Sequence, residues 1–168
     1  SIIPVSGVPT GGGGGIIQVV TATHNSQVTQ ASNGSGSTQT TLTDTGLTAS
    51  ITPTSNSSKV LVMVHQQYGF DDGGDRQIHY NFVVRDGSNN NLDGGVNVNS
   101  SGEGTQRYKD LQAFYQYYDC HFLHSPGTDS SFTYKVSMNL YVSYGGTSTM
   151  IAQRHGYPSR ITLMEVSA

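Results

Sequence analysis

The sequence predicts an all-β chain, an antiparallel sandwich of about eight strands, and three observations carry that prediction. Ser131 to Tyr144 alternates with a period of two: Phe132, Tyr134, Val136, Met138, Leu140 and Val142 interleave with Thr133, Lys135, Ser137, Asn139 and Tyr141. The composition is poor in charge, at 11%, yet holds ten Tyr and five Phe against a background of Ser, Thr, Asn, Gln and Gly. Aromatic and β-branched residues in such a background suit strands joined by polar loops, and a net charge of only −3 argues against a disordered chain. Turn residues recur between the apolar segments: Thr52-Pro53, Asp71 to Asp75, Asp86-Gly87, Ser125-Pro126-Gly127 and Gly145-Gly146.

The elements follow in order. Ser1 to Thr10 is a short apolar peptide carrying Ile2, Ile3, Pro4, Val5, Val8 and Pro9. Gly11, Gly12, Gly13, Gly14 and Gly15 follow it, too flexible for a helix or strand, and read as a hinge. Residues 1–15 are therefore expected to be an extended N-terminal arm and residues 16–168 the domain. Ile16 to Thr23 opens that domain as a strand, and Asn25 to Ser37 is polar and Gly-broken, a loop. Thr40 to Ile51 alternates again. Lys59 to Tyr68 is almost continuously apolar at its start, as in a strand covered on both faces. Gln77 to Arg85 alternates cleanly, and Leu92 to Val98 is expected to form a short strand. Leu111 to Leu123 places Phe114, Tyr118, Cys120 and Phe122 on one face and Tyr115, Tyr117 and His121 on the other. Thr149 to Arg154 and Ser159 to Ser167 complete the set. Eight strands with long connections favour a jelly-roll-like sandwich over a meander.

Composition bounds function as well. With no basic excess, nucleic-acid binding is not expected. Apolar runs such as Val60 to Val64 are far too short to span a membrane, and the N-terminus lacks the pattern of a signal peptide. Cys120, the only cysteine, allows no internal disulfide.

Three segments resemble structural proteins of tailed bacteriophages, notably those of cyanobacterial and marine phages: Ile16 to Val20 (IIQVV), Ser50 to Val62 (SITPTSNSSKVLV) and Ser159 to Val166 (SRITLMEV). The resemblance covers both ends and the second quarter of the domain. It implies a non-enzymatic, jelly-roll-like domain, often trimeric, displayed on the virion in tail fibres or in small proteins that decorate or cement the capsid. A fibre needs a long shaft, so a chain of 168 residues is closer in size to a decoration protein.

Candidate chemistry is sparse. Asp71, Asp72 and Asp75, like Asp86 to Asp93, have the oxygens for calcium, but plain turns explain them as well. Cys120 and His121 point to opposite faces of one strand, so zinc with His124 is not expected. His65, Asp75 and Ser88 make a triad only on paper, and no nucleophile motif is present. No cofactor is expected. The stretch Phe114, Tyr115, Tyr117 and Tyr118 is the best ligand-binding candidate, read as sandwich core on one side and subunit interface on the other, or as a glycan surface. Arg154, His155, Tyr157 and Arg160 form a small cationic and aromatic cluster before the last strand, a subunit or lattice contact or a plain loop.

The expectation is a virion protein on the capsid exterior: a homotrimer that contacts the major capsid protein or other virion proteins through residues 1–10. A receptor-binding head of a tail fibre or tailspike, recognising host surface glycans, is the alternative. A glycan-active enzyme is a distant third.

Overall fold

The structure is a computed structural model that describes residues 15–32, 41–70, 76–92, 105–108, 115–144 and 146–167. Residues 1–14, and with them the expected anchor from Ile2 to Pro9 and four of the five hinge glycines, lie outside the described residues, as do Phe114 and the acidic turn at 71–75. Ten strand segments are present among the described residues: β1 Ile16–His24, β2 Val28–Ala31, β3 Thr43–Ile51, β4 Lys59–Phe70, β5 Arg76–Asp86, β6 Thr105–Tyr108, β7 Tyr115–His124, β8 Phe132–Tyr144, β9 Thr149–Ala152 and β10 Ser159–Val166.

They form two antiparallel sheets. In the first, β1 pairs β10, β10 pairs β4, and β4 pairs β7. β9 continues the line of β10 along the same edge of β4, and β2 continues the line of β1 beside β9. The sheet is thus four strands wide, with two of its strands interrupted. The second sheet has the order β3-β8-β5-β6. The chain crosses between the sheets after β2, β3, β4, β6, β7 and β8, the interleaving of a jelly roll. The all-β sandwich expected from the sequence is what the chain forms.

Inward residues fill the space between the sheets. Val60, Val62 and Val64 of β4 and Ile161 and Leu163 of β10 face Ile78, Phe82 and Val84 of β5 and Val136, Met138 and Leu140 of β8, all buried. At one end Tyr68, Phe70, Tyr80, Phe82 and Tyr118 pack ring on ring, with centroids 5.0–6.0 Å apart. Burying each aliphatic side chain of this kind contributes about 1.5–3 kcal/mol.

Several expectations change. β2 lies within the segment read as a loop, and β6 lies beyond the short strand expected at 92–98, of which only Leu92 is described, in a bend. The first half of β4 is not covered on both faces, since Met63 and His65 are exposed, whereas every residue from Gln66 to Phe70 is buried. In the second sheet the central parts of β5 and β8 are the doubly covered ones, since the outward Val83, Ser137 and Asn139 have no exposure. Alternation in β5 and β8 hid this, because Ser137 and Asn139 read as solvent-facing.

β3 carries a bulge between Asp44 and Thr48 opposite β8. Thr45 closes it by donating to the Val136 carbonyl (3.0 Å), and Gly46 turns it with φ +82°. The His24 ring packs against the bare Cα: a Cβ at Gly46 would stand 2.4 Å from His24 Nε2. Gly46→Ala therefore adds left-handed strain to overpacking and should cost about 2–4 kcal/mol. Urea unfolding measures it, and the double variant with His24→Ala should recover the packing part of the loss.

Candidate functional site

The three segments of the resemblance are neighbours in space. β1, β10 and the start of β4 lie side by side, and the Thr52–Ser58 turn folds back onto them. They meet at Glu165, which has no exposure. Its Oε1 accepts from the Thr54 amide and the Thr54 hydroxyl, both at 2.7 Å, and its Oε2 accepts from Gln18 Nε2 at 2.6 Å. Gln18 Nε2 also donates to the Thr52 carbonyl (2.6 Å). Burial pushes the Glu165 carboxyl up, but hydrogen bonds from Thr54, Gln18 and Ser58 outweigh it and hold the group below its ordinary value of 4.5. Beside this pole Gly15 is pinned to Ser167 by two bonds, its amide donating to Ser167 Oγ and its carbonyl accepting from the Ser167 amide, both 3.0 Å. Gly15, just ahead of β1, is thus tied to the end of the sheet.

The outer face of the first sheet carries the exposed large side chains. Leu123, Tyr157, Tyr117, Tyr115 and Met63 are each 43–53% exposed. Across its middle, Arg160, His65 and Asp119 form one row on adjacent strands. His65 Nδ1 lies 2.5 Å from Asp119 Oδ1, and the Tyr117 ring stacks on the His65 ring at 4.4 Å and 16°. Two adjoining depressions share His65 and Arg160. One, of about 250 Å³, is lined further by Asp119 and His121, and the other, of about 310 Å³, by Tyr117 and Pro158.

One wall of the second depression comes from the interruption between β9 and β10. Gln153 and His155 sit there with φ of 50° and 56°, and Gly156 follows with φ 75°. Gln153 is fully buried. With its amide oriented to satisfy its surroundings, it donates to the carbonyls of Thr45 (3.1 Å) and Ser26 (3.2 Å) and accepts from Gln66 Nε2 (2.8 Å) and Ser159 Oγ (3.1 Å). The resulting turn carries Tyr157 outward until its ring meets Tyr115 edge-on at 5.5 Å.

The sequence cluster is thus split. Tyr115, Tyr117 and Tyr157 do share the outer face. Arg154 does not join them: it is buried, and its guanidinium donates to the Phe70 carbonyl. Asp119 is the residue that sequence reasoning missed. It stands 54 positions from His65, and only the β4–β7 register brings them together.

The remaining candidates fall into structural roles. Asp86 accepts from the amides of Ser88 and Asn90, both at 2.8 Å, and from Asn90 Nδ2 at 2.7 Å, the closed loop of a hairpin. His124 faces the Tyr134 hydroxyl (2.8 Å), and burial lowers its pKa. Cys120 points towards the core while His121 is exposed, and no group of three metal-ligating residues occurs among the described residues.

No family model matches the chain, and no curated protein matches it. A solved structure of infectious bursal disease virus, Gx strain, is similar at 11% identity and a TM-score of 0.42, over 99% of this chain and 44% of that one. The chain spans less than half of that neighbour, and a likeness this loose carries no argument about function.

Glu165 should make the domain acid-sensitive. A carboxyl held below its unfolded value stabilises above that value of 4.5, and the contribution is lost as pH falls through the folded pKa. Glu165→Gln should lower stability at pH 7 by about 2–4 kcal/mol and flatten the loss between roughly pH 5 and 3, because donors are left facing an amide that no longer accepts from all of them. Thermal melting across that pH range measures both effects.

Proposed function

We propose that the chain is a virion structural protein of a tailed bacteriophage, acting by attachment rather than catalysis, with decoration of the capsid exterior as its role. The observation that supports this best is the convergence at Glu165. The segments resembling phage virion proteins, separated along the chain, prove to be one contiguous piece of sheet with a shared polar junction. A resemblance made of scattered coincidences has no reason to assemble in this way. The sandwich also offers an outer face with large exposed apolar side chains, the kind of surface that packs against other subunits.

In this reading the head sits on the capsid, and residues 1–14, leaving the sheet beside Ser167, reach a neighbouring capsid subunit. A homotrimer would present three such arms and multiply weak contacts through avidity. A second reading, the receptor-binding head of a tail fibre or tailspike, is favoured by one observation: the depression between Tyr117, Pro158 and Arg160 has the residue types that hold sugars.

A chain lacking residues 1–14 should fold with unchanged melting temperature but fail to sediment with purified capsids, whereas the full chain binds them. Full occupancy by the truncated chain would remove the arm from the account.

A further inference from the structure

We propose that the groove over His65 is a binding site for a carboxylate-bearing sugar, with Arg160 holding the acid group and Tyr117 the face of the sugar ring. The inference deepens the second reading above, on whose class of ligand it rests, and does not depend on the arm.

Arg160 carries the first part of the argument. It is exposed, it lines both depressions, and its guanidinium has no hydrogen-bond or ion-pair partner among the described residues. The acid that would neutralise it is engaged elsewhere: Asp119 is taken by His65 at 2.5 Å, on the strand beyond β4. Two strand spacings, about 9.5 Å between backbones, separate Arg160 from Asp119, and no ion pair joins them. The guanidinium therefore presents its planar fork to an external oxyanion, the geometry that suits a carboxylate in bidentate contact.

The aromatic platform is the second part. Stacking on His65 fixes the Tyr117 ring from one side, and the residue remains 50% exposed. A ring held this way offers its free surface to the C–H face of a sugar with little rotamer entropy left to lose. His65, already bound to Asp119 through Nδ1, has its other nitrogen for a sugar hydroxyl.

The third part is that the wall is built rather than fortuitous. The turn bearing Pro158 contains two non-glycine residues in left-handed conformation, each costing about 1–3 kcal/mol. A fully buried network of Gln66, Gln153 and Ser159 holds it there. Strain maintained by buried hydrogen bonds places Pro158 beside Tyr117 and Arg160 before any ligand arrives. A neutral sugar would leave Arg160 unused. A flat protein surface would meet a recess about 310 Å³ in volume.

Calorimetric titration of the full chain with a galacturonic acid trimer, a neutral galactose trimer and a Glu-rich peptide tests the inference. The acidic trimer should bind at least about tenfold more tightly than the neutral one. Arg160→Gln should erase that preference, and Tyr117→Ala should weaken both sugars severalfold, with melting temperatures unchanged. Asp129→Asn, outside the groove, should alter nothing. Equal affinity for the two trimers, an unaffected Arg160→Gln variant, tighter binding of the peptide, or no binding of the acidic trimer at about 10 mM would each overturn it. A chain that coats capsids yet binds no uronate overturns this inference alone and leaves the decoration reading intact.

Discussion

The carboxylate of Glu165 is the constraint on which the first sheet depends. A buried acid is costly unless donors surround it, and here the donors come from three places along the chain: Gln18, the Thr54 backbone and hydroxyl, and Ser58. None of these segments satisfies the charge alone. β1 has to lie beside β10, and the turn before β4 has to close over the end of the sandwich, before all the bonds exist. The cost of burying one charge is thereby converted into a register. The same junction fixes the place where Gly15 meets Ser167, and so the point from which the preceding chain departs.

The opposite end of that sheet solves a different problem with the same chemistry. β1/β2 and β9/β10 are each broken midway, and breaks in adjacent strands leave backbone groups without ladder partners. Glutamines fill in. Gln153 reaches the carbonyls of Ser26 and Thr45, while Ser159 Oγ accepts from the Gln67 amide at 2.9 Å. The break buries Gln67, lifts Tyr157 above the sheet and leaves the recess beside Arg160. One pole thus organises the fold, and the other shapes the exposed face.

Much of the fold was legible in the sequence because alternation survives in the long central strands. β5 and β8 could be read almost to the residue from Ile78 to Val84 and from Phe132 to Val142. β2 and β6, at four residues each, are too short to show a period, and VTQA and TQRY carry no apolar signal beyond one residue. The candidate site was legible in part. Period two put Tyr115 and Tyr117 on one face of their strand, opposite Tyr118 and Cys120, but gave no sign that this face is the exposed one. Arg154 was grouped with Tyr157 by proximity in sequence, but a left-handed turn separates them and sends its guanidinium inward. The His65–Asp119 pair and the junction at Glu165 depend on strand order, which no local pattern records. Glu165 in particular looks like an ordinary polar residue near a strand end until Thr54 and Gln18 are seen to converge on it.

If Glu165 joins these segments, replacing it should loosen them selectively. Hydrogen–deuterium exchange of the Glu165→Gln variant measures this most directly. Amides of residues 16–20 and 54–58 should lose protection by about tenfold or more relative to wild type, while those of Val136 to Leu140 in β8 keep theirs apart from the global loss of stability. Uniform loss across both sheets, or none at residues 54–58, would contradict the account.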